Sequence, residues 1–141
     1  MKFLVQKKRL QNFTVSSCAT SREEIGNDMH PGAKQKLMQM CIPFTKHTAR
    51  QLTADDYDEN DYLIAMDYEN LYYINRIIGS DPQNKVHLLL EYAPSDYCGG
   101  ILNNQGGIHE IADPWYAGNF DDTFNDILTG CTGLLDKLAG K

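Results

Sequence analysis

Apolar positions along this chain fall into blocks of two kinds, some spaced at three and four residues and some continuous, and the spacing predicts the element. Phe120, Phe124, Ile127, Leu128, Cys131, Leu134, Leu135 and Leu138 follow one another at helical spacing. They form one apolar stripe, the clearest helix in the sequence. Tyr62-Leu63-Ile64-Ala65-Met66 and Lys85-Val86-His87-Leu88-Leu89-Leu90 are apolar runs of strand length, the pattern of parallel strands buried on both faces. Between them Asp67 caps a predicted helix through Leu71, Ile74 and Ile78 that ends at Gly79.

Upstream, Met1, Leu4 and Val5 read as the closing turns of an amphipathic helix with no capping residue ahead of it. Phe13-Thr14-Val15-Ser16-Ser17-Cys18 alternates and is rich in strand formers, so a strand is expected there, followed by a loop to Asn27. Pro31 suits the first position of a helix through Ala33, Leu37, Met38 and Met40 that Pro43 stops. Thr53-Ala54-Asp55-Asp56 resembles a capping box, with Asp where Glu or Gln is usual, opening a short helix ahead of Asp61. Residues 94–107, rich in Gly and Asn, read as a long loop. Strands alternating with helices predict an α/β fold, a parallel open sheet flanked by helices. Ligands bind such sheets at the carboxyl ends of the strands, where Ser17, Asp67 and Glu91 would then lie together.

Composition narrows the functions this fold could serve. The 141 residues predict a single domain. Thirteen Lys and Arg against nineteen Asp and Glu give a net charge of −6, which argues against nucleic acid or an anionic membrane as partner. No apolar run reaches the roughly 20 residues of a membrane span, so a soluble, cytoplasmic protein is expected. The four cysteines form no Cys-x-x-Cys pair. His30, His47, His87 and His109 have no metal-ligand spacing, so neither a metal nor another cofactor is expected.

One stretch carries the look of a site. In Ala112-Asp113-Pro114-Trp115-Tyr116-Ala117-Gly118-Asn119 a proline holds the carboxylate before it in extended geometry, and two aromatics follow at once. Such a pair can wall a pocket for an aromatic group beside an acid. Asp-Pro is also a common turn opener, and aromatics after it can simply fill core.

Four blocks, in order, resemble the low molecular weight protein-tyrosine phosphatases: Val15-Ser16-Ser17-Cys18-Ala19-Thr20-Ser21 with Ile25-Gly26-Asn27; His47-Thr48-Ala49-Arg50-Gln51-Leu52-Thr53; Tyr62-Leu63-Ile64-Ala65-Met66-Asp67 with Asn70-Leu71; and Asp113-Pro114-Trp115-Tyr116. The resemblance implies that Asp113 is the general acid and base, that Trp115, Tyr116 and Glu23 border the substrate, and that Ser17, His47 and Asp67 support a phosphate loop. Glu23 stands where relatives usually carry an aromatic. Ser17 reads equally as a strand end, His47 as a turn histidine and Asp67 as a helix cap.

The family's nucleophile loop, Cys-x5-Arg, is not in the sequence. Six positions after Cys18, Cys41, Cys98 and Cys131 stand Glu24, His47, Asn104 and Lys137. The expectation is therefore an N-terminally truncated domain whose inner first strand and phosphate loop lie upstream of Met1, leaving a gap in the core and an open sheet edge. As written the chain should be inactive. Given the absent segment it would act on phosphotyrosine proteins or small aryl phosphates. The other readings are a non-catalytic interaction or dimerisation module, homo-oligomeric through the open sheet, and an inert fragment.

Overall fold

A computed structural model describes residues 1–102, 109–111 and 120–140. The helices are α1 (Lys2–Lys7), α2 (Pro31–Gln39), α3 (Ala54–Glu59), α4 (Tyr68–Ile78) and α5 (Phe120–Leu138), with a 3-10 helix at Leu89–Tyr92. The strands are β1 (Leu63–Ala65), β2 (Val86–Leu88), β3 (Ile101–Leu102) and β4 (His109–Glu110). β1 pairs with β2 in parallel, Leu63 opposite Val86 and Ala65 opposite Leu88, and β3 pairs antiparallel with β4.

β1 is buried on both faces, as a continuous apolar run predicts. Leu63 and Ala65 join Leu52, Tyr57, Ile74 and Leu88 in one core. Ile64 and Met66 pack against the other, which is built from Leu89, Leu90, Ile111, Cys131 and Leu134. The period of two along a strand sends alternate side chains to opposite sides, so this one segment joins the α3–α4 layer to the α1–α5 layer.

Helix ends follow their local chemistry. Pro31 takes the first position of α2, and the His30 side chain caps it, its Nδ1 accepting from Gly32 N at 2.9 Å. Asp56 Oδ2 accepts from Thr53 N at 2.8 Å and from Thr53 Oγ1 at 3.2 Å, so the short Asp does serve the start of α3. Gly79, at φ +84°, ends α4 in the region open to a residue without Cβ.

Three expectations need correction. No strand forms over residues 13–18: the segment has no ladder partner among the described residues, and only a single parallel bridge follows it, Ala19 to Gln51. A strand propensity makes a strand only where another backbone lies alongside. Ser17 consequently ends no strand. The run at 85–90 is strand only through Leu88, and Leu89 and Leu90 turn into the 3-10 helix. That turn places both leucines against α5, and it puts Glu91 on the helix instead of at a strand's carboxyl end. Within the stretch read as loop, Ile101–Leu102 forms β3.

Candidate functional site

The junction from β1 to α4 is the best-built rim of the sheet. Asp67 Oδ1 accepts from Asn70 N at 2.7 Å, and Asn70 Oδ1 accepts from Met66 N at 3.2 Å. The two side chains thereby cap the helix and hold the strand's last turn. The end of β4 is sewn onto the same junction: Tyr68 N donates to Glu110 Oε1 at 2.7 Å, and Ile111 N donates to Met66 O at 3.0 Å. Asp113 follows Ile111 by two positions in the sequence. Asp113, Pro114, Trp115 and Tyr116 lie outside the described residues.

A second group of loops is laced together beside the Ala19–Gln51 bridge. Ala19 N donates to Arg50 O (2.8 Å), Leu52 N to Ala19 O (2.7 Å), Gly26 N to Ala49 O (2.8 Å) and Ala49 N to Asn27 O (2.8 Å). Arg22 Nε donates to Gln51 Oε1 at 3.0 Å. These bonds hold the loop that carries the exposed Glu23 against the segment that follows His47. Ser17, also exposed, precedes the bridge by two residues.

His47 is held by its backbone: its N–H donates to Asp28 Oδ1 at 2.8 Å. The same carboxylate accepts from Met29 N at 2.7 Å and from Lys34 Nζ at 2.6 Å. The hydrogen bond from Lys34 first, then those from His47 and Met29, hold the Asp28 carboxyl well below the usual carboxylate range. Asp28 has no motif around it in the sequence, since its partners lie up to nineteen positions away. Arg50 and Asp56, six positions apart, also pair through space. Arg50 Nη1 and Nη2 reach the two Asp56 oxygens at 2.9 Å each, a bidentate clamp that leaves this guanidinium committed within the protein.

Neither of the two perturbed thiols is activated. Cys18 is exposed, yet partial desolvation of its thiol pushes it up, and Arg50 offsets this only in part. Burial likewise raises Cys131, which sits inside the second core. A raised pKa keeps both protonated at neutral pH, the opposite of what attack requires.

Asp67 also borders an apolar cavity of about 470 Å³, walled by Leu4 of α1, Leu37 of α2, Met66, Ile111 and Phe124 of α5. Its walls come from the sheet rim and from α1, α2 and α5. Among the described residues no cluster of His, Cys, Asp and Glu could hold a metal ion, and no helix is long and apolar enough to cross a membrane.

Over residues 1–141 the sequence matches the family described as Low molecular weight phosphotyrosine protein phosphatase. The chain belongs to this family. It is 32% identical over 136 residues to the low molecular weight protein-tyrosine-phosphatase YfkJ of Bacillus subtilis, covering 96% of this chain and 81% of that protein. A Schizosaccharomyces pombe low molecular weight phosphotyrosine protein phosphatase is 36% identical over 129 residues, covering 89% of this chain and 75% of the relative. The crystal structure of YfkJ superposes with a TM-score of 0.83 at 30% identity, over 97% of this chain and 80% of that one. The phosphatase fold is thus an α/β fold with a parallel sheet between helices here as well, and about a fifth of YfkJ has no counterpart in the match.

Proposed function

We propose that this chain is the acid–base and substrate-binding part of a protein-tyrosine phosphatase, silent by itself because no cysteine of the sequence has an arginine six positions on. Asp113 is the proton donor, Trp115 and Tyr116 wall the aryl ring, Glu23 flanks it, and Ser17, His47 and Asp67 brace the phosphate loop. In a cysteinyl-phosphate mechanism a thiolate forms an S–P bond as the aryl O–P bond breaks, and the acid delivers its proton to the departing phenolate. The resulting carboxylate then activates the water that cleaves the S–P bond. Of these groups the sequence retains the acid but lacks the attacking sulfur.

The observation that carries the reading is the family match across all 141 residues, Asp-Pro-Trp-Tyr included. The rim supports it: Ile111, two positions before Asp113, is hydrogen-bonded to the strand end beside Asp67.

Two assays test it. The purified chain should hydrolyse p-nitrophenyl phosphate no faster than buffer, and turnover abolished by Asp113→Ala would overturn the claim of a missing nucleophile. Fusing a strand and a Cys-x5-Arg loop ahead of Met1 should bring activity, and Asp113→Ala in that fusion should lower kcat by about 10²- to 10⁴-fold. An active fusion indifferent to Asp113 would refute the acid assignment.

The second reading, a non-catalytic interaction or dimerisation module, is favoured by the apolar cavity beside the sheet rim. Under it the chain self-associates or binds a partner without turnover.

A further inference from the structure

A second pocket, of about 460 Å³, is lined by His87, Glu91, Tyr92, Gly133 and Lys137 and shares no lining residue with the apolar cavity. Two of its polar groups are donors without acceptors. The Tyr92 hydroxyl is buried and has no hydrogen-bond partner among the described residues. Burial first, then Glu91 and Tyr62, push it above the usual tyrosine range, so at neutral pH it keeps its proton and can donate. Lys137 Nζ stands 5.2 Å from the centre of the Tyr92 ring and takes part in no ion pair among the described residues.

The same pocket holds two acceptors with no donor between them. His87 Nε2 lies 2.9 Å from Asn84 O, and a carbonyl only accepts, so this nitrogen carries the proton. Nδ1 of the neutral ring is then a bare acceptor, and it faces Glu91 Oε2 at 3.4 Å. Glu91 is fixed there because Oε2 also accepts from Leu88 N at 2.7 Å, where the 3-10 helix begins. The His87 ring is held beside those of Tyr62 and Tyr92, at centroid distances of 6.3 and 6.0 Å. Water can satisfy one such gap. An ammonium and a hydroxyl donor opposite a carboxylate and an imidazole acceptor, however, match a molecule that carries both a carboxylate and an ammonium. A ligand of one charge would leave either Lys137 or Glu91 unanswered.

We propose that this pocket binds a free α-amino acid as its zwitterion, the ligand carboxylate accepting from Lys137 Nζ and the Tyr92 hydroxyl while its ammonium donates to Glu91 and His87. The site uses none of the groups assigned to phosphoryl transfer, so it stands or falls independently of that reading.

The probe is L-alanine, titrated into the full 141-residue chain at about pH 8, where an imidazole is neutral, with amide NMR shifts as the readout. Propionate, which lacks the ammonium, and ethylammonium, which lacks the carboxylate, are the controls. L-Alanine should move the Leu88 and Tyr92 amide resonances saturably, and each control should bind about tenfold more weakly or worse. Tyr92→Phe and Lys137→Met should each weaken alanine binding by about tenfold or more. Tyr92→Phe should also leave the ligand-free Tm unchanged or raise it, because it removes a buried hydroxyl that has no partner. The proposal is overturned by the absence of a saturable shift at about 50 mM alanine, well above a dissociation constant of about 1 mM. It is overturned equally by a control that binds as tightly as alanine, by full binding in Tyr92→Phe, or by a lowered Tm in that variant, which would mean that the hydroxyl is already satisfied within the protein.

Discussion

Asp56 is 5% exposed, and each of its oxygens is occupied: Oδ1 by Arg50 Nη2, and Oδ2 by Arg50 Nη1 and the Thr53 donors. The Arg50 hydrogen bonds are the main cause that lowers its carboxyl from 3.8 to about 2. A carboxylate depressed in the fold stabilises it above the ordinary pKa and loses that contribution as pH falls through the folded value. Stability should therefore drop between pH 4 and about 2, and Asp56→Asn should cost about 1–2 kcal/mol at pH 7 and flatten that drop. Urea unfolding at a series of pH values reads both effects. Asp28 offers a parallel test: Asp28→Ala should speed exchange of the His47 amide, which has lost its acceptor, while leaving the Asn70 amide at the Asp67 cap unaffected. The Thr53–Asp56 cap was legible because three residues separate its partners. Asp28 was not, because a carboxylate chooses donors through space.

At the scale of elements, α5 shows how an apolar stripe is necessary but incomplete. Leu134, Leu138 and Cys131 face the second core as their spacing predicts, whereas Leu128, on the same predicted stripe, is 37% exposed. The close approach of the 3-10 helix, however, depends on two glycines on the same face. A Cβ at Gly130 would sit 2.6 Å from Leu89 Cγ, and one at Gly133 would run into the Tyr92 carbonyl oxygen. Gly133→Ala should therefore destabilise by about 1–3 kcal/mol through overpacking, although alanine is favoured over glycine in an isolated helix by about 1 kcal/mol. Thermal melting gives the sign. At the other end of the sheet, Asp67→Ala should cost about 1 kcal/mol through the lost cap of α4, measured in the same way. The caps, the first proline of α2 and the glycine stop of α4 were all readable, since each depends on neighbours within a turn. The strand expected at residues 13–18 was not realised, since a ladder needs a second backbone.

For the molecule as a whole, the layer order follows from β1 being apolar at every position, a pattern that demands cover on both faces. What surrounds the cavity follows from nothing so local: Leu4, Leu37 and Phe124 come from three helices spread over the chain, and Met66 from the turn after β1. If this cavity is open to apolar occupants in solution, an apolar fluorescent dye should bind with enhanced emission, and Leu37→Glu should reduce it severalfold.

Residue order over short spans and motif spacing were enough for the helices, their caps, the parallel pair of strands and the membership of a phosphatase family. Neighbours in space settled that residues 13–18 form no ladder among the described residues, that Leu89 and Leu90 turn to meet α5, and that Arg50 and Asp28 are tied up in internal pairs. The tertiary structure also assembled an apolar cavity from α1, α2, α5 and the turn after β1. All of these depend on which segments lie side by side, and hydrogen bonds and burial are set by that proximity.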